Sequence, residues 1–323
     1  MKNKIDLATT TSITTSYAGE FAQEYVAAAL LSANSIEQGG FTIIPNVKWT
    51  HTLNNAATGS LLKDATCDFD ASSSITLTEK VLTVKKLNVN LQVCKNDFQT
   101  SWNASQMGFS EHQTLPKSFS DFILGHVIGD VAAEMETLIW SGTSTTAGEI
   151  GGIETEIALD AALPAAQEVA GAAVAVGTII VELRKITAVI PNRVYGKEGL
   201  RLYLSPNMVK AYIGALGGHI AAGVGGSGTS DMGTQWYTNG SLTFDGIEIF
   251  MARGMTAGVG ICTYKDNLIF ASSVYSDMSD VKLLDMSPLD GSENCRIVMK
   301  MAAVASYRFP QDIVTYGITN GAN

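Results

Sequence analysis

The stretch from Leu87 to Ile153 limits the possible folds more than any other part of the chain. Leu87, Val89, Leu91 and Val93 alternate with Asn88, Asn90, Gln92 and Cys94, the period-two pattern of a half-buried strand. A polar connection follows, and then an unbroken helical pattern runs from about Pro116 to Trp140. Its apolar stripe is Phe119, Phe122, Ile123, Val127, Val131, Met135, Leu138 and Ile139, spaced by three and four. At about 1.5 Å per residue such a helix is roughly 37 Å long, which is long for a globular domain. Pro116 suits the first turn and Gly142 the position just past the end. A Thr/Ser/Gly loop then leads to Gly151-Gly152-Ile153.

Around this stretch the chain alternates arms, strands and helices. Residues 1–16 are polar and Thr-rich, an extended arm, and Tyr17 to Ser32 reads as a helix. Phe41 to Leu53 is extended and broken by Pro45; Asn54 to Ser74 is a polar excursion; Ile75 to Val84 returns as a strand. Together these predict a projecting hairpin. An isolated two-stranded hairpin is marginal in water, so this one should lie on something, such as a neighbouring subunit.

Glu154 to Gly177 is Ala-rich and of low complexity, and a helix from Thr178 to Ile190 is stopped by Pro191. Arg201 to Leu204 reads as a short buried strand, and Ser205-Pro206-Asn207 starts a helix that runs to Leu216. A glycine-rich loop spans His219 to Gly240, and Asp245-Gly246 is a hairpin turn. Strands are predicted at Gly260–Tyr264, Asn267–Phe270, Val281–Leu284 and Arg296–Tyr307. Interleaved elements without regular strand–helix units make this an α+β protein.

The 323 residues suffice for one large domain or two to three smaller ones. Charged residues make up 16%, against about 25% in an ordinary soluble domain. Either much of the surface meets other subunits, whose interface cores are poor in charge, or the exterior is simply rich in Thr, Ser and Asn. A net charge of −10 opposes binding through phosphate contacts, and Lys85-Lys86 reads as an exposed strand edge. Cys67, Cys94, Cys262 and Cys295 form no C-x-x-C pair, so the expectation is four free thiols. No signal peptide and no membrane-length apolar run is visible, and the sequence predicts a soluble protein made in a cytoplasm.

Chemical motifs fare poorly on context. Gly223 to Gly228 matches G-x-G-x-x-G, but a helix precedes it where a dinucleotide site needs a strand. A nucleotide-binding enzyme built on that loop remains the distant alternative. Asp68, Asp70, Ser72, Ser74 and Glu79 fall at calcium-loop positions, with Ser73 where glycine is required and no helical flanks. His51, His112, His126 and His219 are far apart, and His126 reads as a packing residue of the long helix. Glu134 and Glu136 read as its solvated or intersubunit face. With no convergent catalytic set, the chain reads as a non-enzyme without a cofactor.

The order of these elements, with the segments Ser141-Gly142, Gly151-Gly152-Ile153, Leu202-Tyr203-Leu204-Ser205-Pro206-Asn207-Met208 and Phe244-Asp245-Gly246-Ile247, resembles the major capsid protein of tailed double-stranded DNA bacteriophages. The resemblance covers nearly the whole chain, and no single motif is diagnostic. It implies a Hong Kong 97-type capsid fold: an N-terminal arm and helix (1–45), an extended loop (46–84), a peripheral domain with a spine helix at about 115–140 (85–177), an axial domain (178–257) and strands returning to both (258–323). It implies hexamers and pentamers in an icosahedral shell enclosing DNA without sequence-specific binding, a portal and head-completion proteins. Subunit contacts would fall at Lys63, Asp64, Asp68 and Asp70 of the extended loop, Glu134 and Glu136 of the spine, and His219 and Ser227 near the ring axis. Some members carry a cleaved N-terminal scaffolding segment; this chain shows no such coiled coil, so the expectation is a separate scaffolding protein. An encapsulin-like nanocompartment shell is the alternative within the same fold.

Overall fold

The described residues form two six-stranded sheets and a two-stranded hairpin. The computed structural model describes residues 16–17, 34–59, 62, 64, 67, 74–94, 117–216, 242–273 and 280–321. The first described elements are strand β1 (Ser16–Tyr17), the one-turn helix α1 (Asn34–Glu37) and strand β2 (Thr42–Ile44). The hairpin strands β3 (Thr50–Thr58) and β4 (Ile75–Thr83) come next, then β5 (Lys85–Cys94) and the long helix α2 (Lys117–Ser141). Helix α3 (Ile153–Leu159), β6 (Glu168–Val169), α4 (Ile179–Val189), β7 (Leu200–Leu204) and α5 (Pro206–Leu216) follow. The last part holds β8 (Thr243–Phe244), β9 (Ile247–Met251), β10 (Gly260–Tyr264) and β11 (Leu268–Ser272). It ends with β12 (Asp280–Asp285), α6 (Ser287–Asp290), β13 (Asn294–Tyr307) and β14 (Val314–Tyr316).

The first sheet is built on β13, which is long enough to pair with β5, β12 and β11, while β1 and β2 extend it. Cys295, Ile297, Met299, Met301, Ala303, Ala305 and Tyr307 point into the core beneath α2. Ala302 and Val304 on the opposite face meet the base of the hairpin. Thus the C-terminal half of β13 is buried on both faces, which is why it reads as an almost continuous apolar run. In β5 the predicted alternation holds, but burial fades along the strand: Leu87 is buried and Leu91 is 43% exposed.

The second sheet runs β6-β14-β10-β7-β9-β8 and also has two covered faces. Tyr203, Phe250 and Ile261 face α2, whereas Leu202, Leu204, Ile249 and Cys262 face α4 and α5. The Asp245-Gly246 turn joins β8 to β9 with φ of 49° and 79°, the left-handed pair that such a tight turn requires. Helix α4 ends before Pro191 and α5 begins at Pro206, both as the sequence predicts. The Ala-rich stretch after residue 153 departs from expectation, because it holds α3, whose Ile153 and Ile157 are fully buried.

Helix α2 ties the two sheets together at its C-terminal end. Trp140 is fully buried, with its ring centroid 5.1 Å from Phe41 and 5.6 Å from Tyr203. Its Nε1–H donates to Ser35 Oγ at 2.8 Å, and Ser35 Oγ donates in turn to Glu136 Oε1 at 2.6 Å. Ser35 N donates to the other oxygen of Glu136 at 2.8 Å. Glu136 is therefore buried inside its own chain, which corrects its reading as part of a solvated or intersubunit face. A carboxylate there is compatible with burial because both oxygens are hydrogen-bonded. Glu134, two residues earlier, is exposed as expected. His126 is exposed as well, 3.7 Å from Asp130, and is not a packing residue.

Two loops press against this end of α2 through glycines. A Cβ on Gly254 would lie 1.9 Å from the carbonyl oxygen of Glu136, and one on Gly152 would lie 2.5 Å from Gly142 N. By contrast, a Cβ on Gly125 of α2 meets nothing within 4 Å. Gly254→Ala should lower the stability of the chain by about 1–3 kcal/mol through overpacking. Gly125→Ala should raise it by roughly 0.5–1 kcal/mol through helix propensity. Urea unfolding midpoints of the two variants, shifted in opposite directions, check this pair.

Candidate functional site

The β3–β4 hairpin is the part of the molecule best placed to act on something else. Its nine antiparallel pairs run from Thr50↔Thr83 to Thr58↔Ile75, so β3 extends five residues beyond the predicted Leu53. Period two gives it two faces. On the inner face, Leu53 and Leu82 are buried against Val47, Val84, Ile269, Ala271, Ala302 and Val304. Val84 N donates to Trp49 O at 3.0 Å and Val47 N to Ser272 O at 3.1 Å, closing the base. The hairpin therefore rests first on its own chain.

The outer face is different. Ile75, Leu77 and Val81 are 67%, 74% and 56% exposed, and they line one side of β4 with exposed Glu79 between them. Exposed apolar side chains are ordinary singly, but a row of them on one strand face is a candidate contact surface. Strand period alone places these residues outward once Leu82 is inward.

Between hairpin and body lies a groove of about 810 Å³, lined by Asn55, Thr78 and Lys80 on one side and by Glu156, Leu159, Asp160, Arg193, Tyr307 and Pro310 on the other. Lys80 Nζ lies 3.4 Å from the centroid of the Tyr307 ring and 3.6 Å from Glu156 Oε2. Ser306 Oγ donates to Glu156 Oε2 at 2.5 Å, and Tyr307 OH donates to Asp160 Oδ2 at 2.5 Å. Burial holds the Lys80 ammonium below its ordinary pKa despite the attraction of Glu156 and Asp160. Burial likewise raises the Glu156 carboxyl, against the pull of Lys80. None of these residues stood out in the sequence, since α3 lies in a stretch that reads as low complexity.

Apart from Glu136, found buried above, the residues singled out in the sequence as subunit contacts or acidic calcium-loop ligands divide into three groups. Asp64 is exposed on the hairpin, and Glu134 is exposed on α2. Glu79 stands in β4 opposite Asn54, on a strand where a calcium loop needs its exiting helix. Lys63, Asp68, Asp70, His219, Ser227 and the Gly223 to Gly228 loop lie outside the described residues. Among the described residues no group of three or more His, Cys, Asp or Glu side chains is placed to hold a metal ion. Of the described helices, none is long and apolar enough to cross a membrane. Buried Cys262 has its thiol pushed up to about 12 by desolvation, so it is protonated at neutral pH.

The sequence matches no protein-family model and no curated protein. Solved structures do resemble the fold. The capsid of a native GTA particle superposes with a TM-score of 0.57 at 12% identity, covering 88% of this chain and 90% of that one. The satellite phage P4 procapsid including size determination (Sid) protein gives 0.56 at 10% identity, over 91% and 98%. A structure from Mycobacterium phage Adephagia gives 0.54 at 11%, over 98% of each chain. These likenesses show that the chain has the mixed helix-and-sheet fold of phage capsid proteins.

The seat of the hairpin yields a pH prediction. Glu154 of α3 is buried, and its Oε1 accepts from Thr256 N at 2.8 Å. Burial raises its carboxyl pKa, with that hydrogen bond opposing. The folded state then holds the proton more tightly than the unfolded chain, so ionisation above the raised pKa costs stability and protonation below it restores stability. Glu154→Gln keeps the acceptor and removes the charge, and it should raise the melting temperature by roughly 1–3 °C at about pH 7.5. The gain should shrink on acidification toward about pH 4.5. A pH-independent difference in thermal scans would contradict this.

Proposed function

We propose that this chain is the major capsid protein of a tailed phage, assembling as hexamers and pentamers into an icosahedral shell around double-stranded DNA. The observation that carries this reading is the exposed apolar face of Ile75, Leu77 and Val81 on a hairpin projecting from a capsid-type fold. A shell subunit makes heterologous contacts that close into rings, and a strand pair seated on its own chain at the base with an open apolar outer face supplies such a contact. In this reading residues 46–84 are the extended loop, 85–177 the peripheral domain with α2 as its spine, and 178–257 the axial domain. Residues 258–323 return strands to both, which the membership of β11 to β13 in one sheet and β10 and β14 in the other supports. The role is structural and non-enzymatic, in the virion.

The acidic balance, −10 overall, favours containing DNA without gripping it. A separate scaffolding protein, a portal and head-completion proteins belong to the same proposal, with assembly in the host cytoplasm.

Because Leu77 is exposed, Leu77→Lys should leave the melting temperature of the free subunit within about 1 °C. It should nonetheless abolish closed particles in negative-stain microscopy of the chain expressed with its scaffold. Wild-type yields of normal shells from this variant would remove the hairpin from the assembly contact. Small uniform shells without nucleic acid from the unmodified chain would favour the encapsulin-like alternative.

A further inference from the structure

We propose that the β3–β4 hairpin is a hinged arm pinned to its own subunit by the Lys80 side chain, which acts as a releasable latch. This goes beyond the shell reading, since it concerns how one chain holds its own hairpin. The inner face carries two kinds of anchor in order outward. Leu53 and Leu82 form a dry base, and Lys80, which pairs with Leu53 across the ladder, is the next inward-facing residue of β4 beyond Leu82, at the outer edge of that base. Outward of Lys80 the groove of about 810 Å³ separates Asn55 and Thr78 from Leu159 and Pro310. The arm therefore has an apolar pivot, one charged pin and open space beneath its outer half.

The pin is matched to its socket. Tyr307 of β13 offers its ring face at 3.4 Å to the centroid, and Glu156 of α3 offers a carboxylate at 3.6 Å. Asp160 adds a second negative charge next to the same cation, held by Tyr307 OH. The socket is itself fixed by Ser306 Oγ on Glu156. Removing the ammonium leaves Glu156 and Asp160 without their shared counter-charge, with only the hydrogen bonds from Ser306 and Tyr307 to offset their repulsion and desolvation. The arm beyond the base is left as a nearly isolated two-stranded ribbon, a structure that frays in water. A cation–π contact and a partly exposed ion pair are weak enough to open and close. The latch can thus release without unfolding the base.

Amide hydrogen exchange on the full chain tests this, with all variants compared in the same oligomeric state. Lys80→Met keeps the stem and removes the charge, and amides of Asn54 to Thr58 and Ile75 to Glu79 should exchange about tenfold faster. Amides of β13 should keep their wild-type rates. Lys80→Arg, which restores a cation, should return the arm to within about threefold of wild type. Glu156→Gln keeps the shape and removes the partner's charge, so it should also speed exchange in the arm, and it serves alone if Lys80→Met does not fold. Unchanged exchange in the arm, or equal acceleration in the arm and β13, would overturn the latch.

Discussion

The packing of Trp140 is the constraint on which the rest depends. Its ring lies between Phe41, from the connection leading to β2, and Tyr203, from the middle of β7. Its indole N–H begins the relay through Ser35 to the buried carboxylate of Glu136. Tyr203 OH donates to Gly40 O at 2.8 Å, so the same cluster also fixes the turn after α1. Losing a buried tryptophan of this kind costs about 3–5 kcal/mol. Here the loss would also free the end of α2 from the second sheet. Glycines 142, 152 and 254 follow from this crowding, because the α2–α3 and β9–β10 loops must approach the last turns of one helix backbone to backbone.

With that centre rigid, adaptability has to lie at the edges. The hairpin is joined to the body by a small apolar base and by Lys80, while its outer face presents apolar side chains to solvent. A subunit that must fit several slightly different neighbours gains from this division between fixed core and adjustable arm. The likeness to phage procapsid and capsid structures and the open face of β4 are independent observations. One concerns backbone topology, and the other concerns which side chains are left in water.

Much of the fold was legible wherever one period ruled. Strands β10 to β13 fall within a residue or two of their predicted spans, because each alternates or runs apolar between clear turn residues. The long helix was legible through Val127, Val131, Met135, Leu138 and Ile139, which are buried along one stripe. The reading failed at its end, where three elements surround the helix and Glu136 and Trp140 are buried off the stripe. A single-face pattern has no way to signal burial on several faces. Helix α3 was missed because Ile153 and Ile157 give only one turn of period within an Ala-rich segment. With it went Glu156 and Asp160, so the socket for Lys80 was hidden. The outward turn of Ile75, Leu77 and Val81 needed the register of the hairpin, which sequence alone leaves free by one residue.

The most direct measurement is a single-particle cryo-electron microscopy map of the chain expressed alone and with a candidate scaffolding protein. The account predicts closed icosahedral particles in which Ile75, Leu77 and Val81 are buried against an adjacent subunit while Lys80 stays with its own Tyr307 and Glu156. Particles with that face left in solvent, or a chain that remains monomeric under assembly conditions, would contradict it.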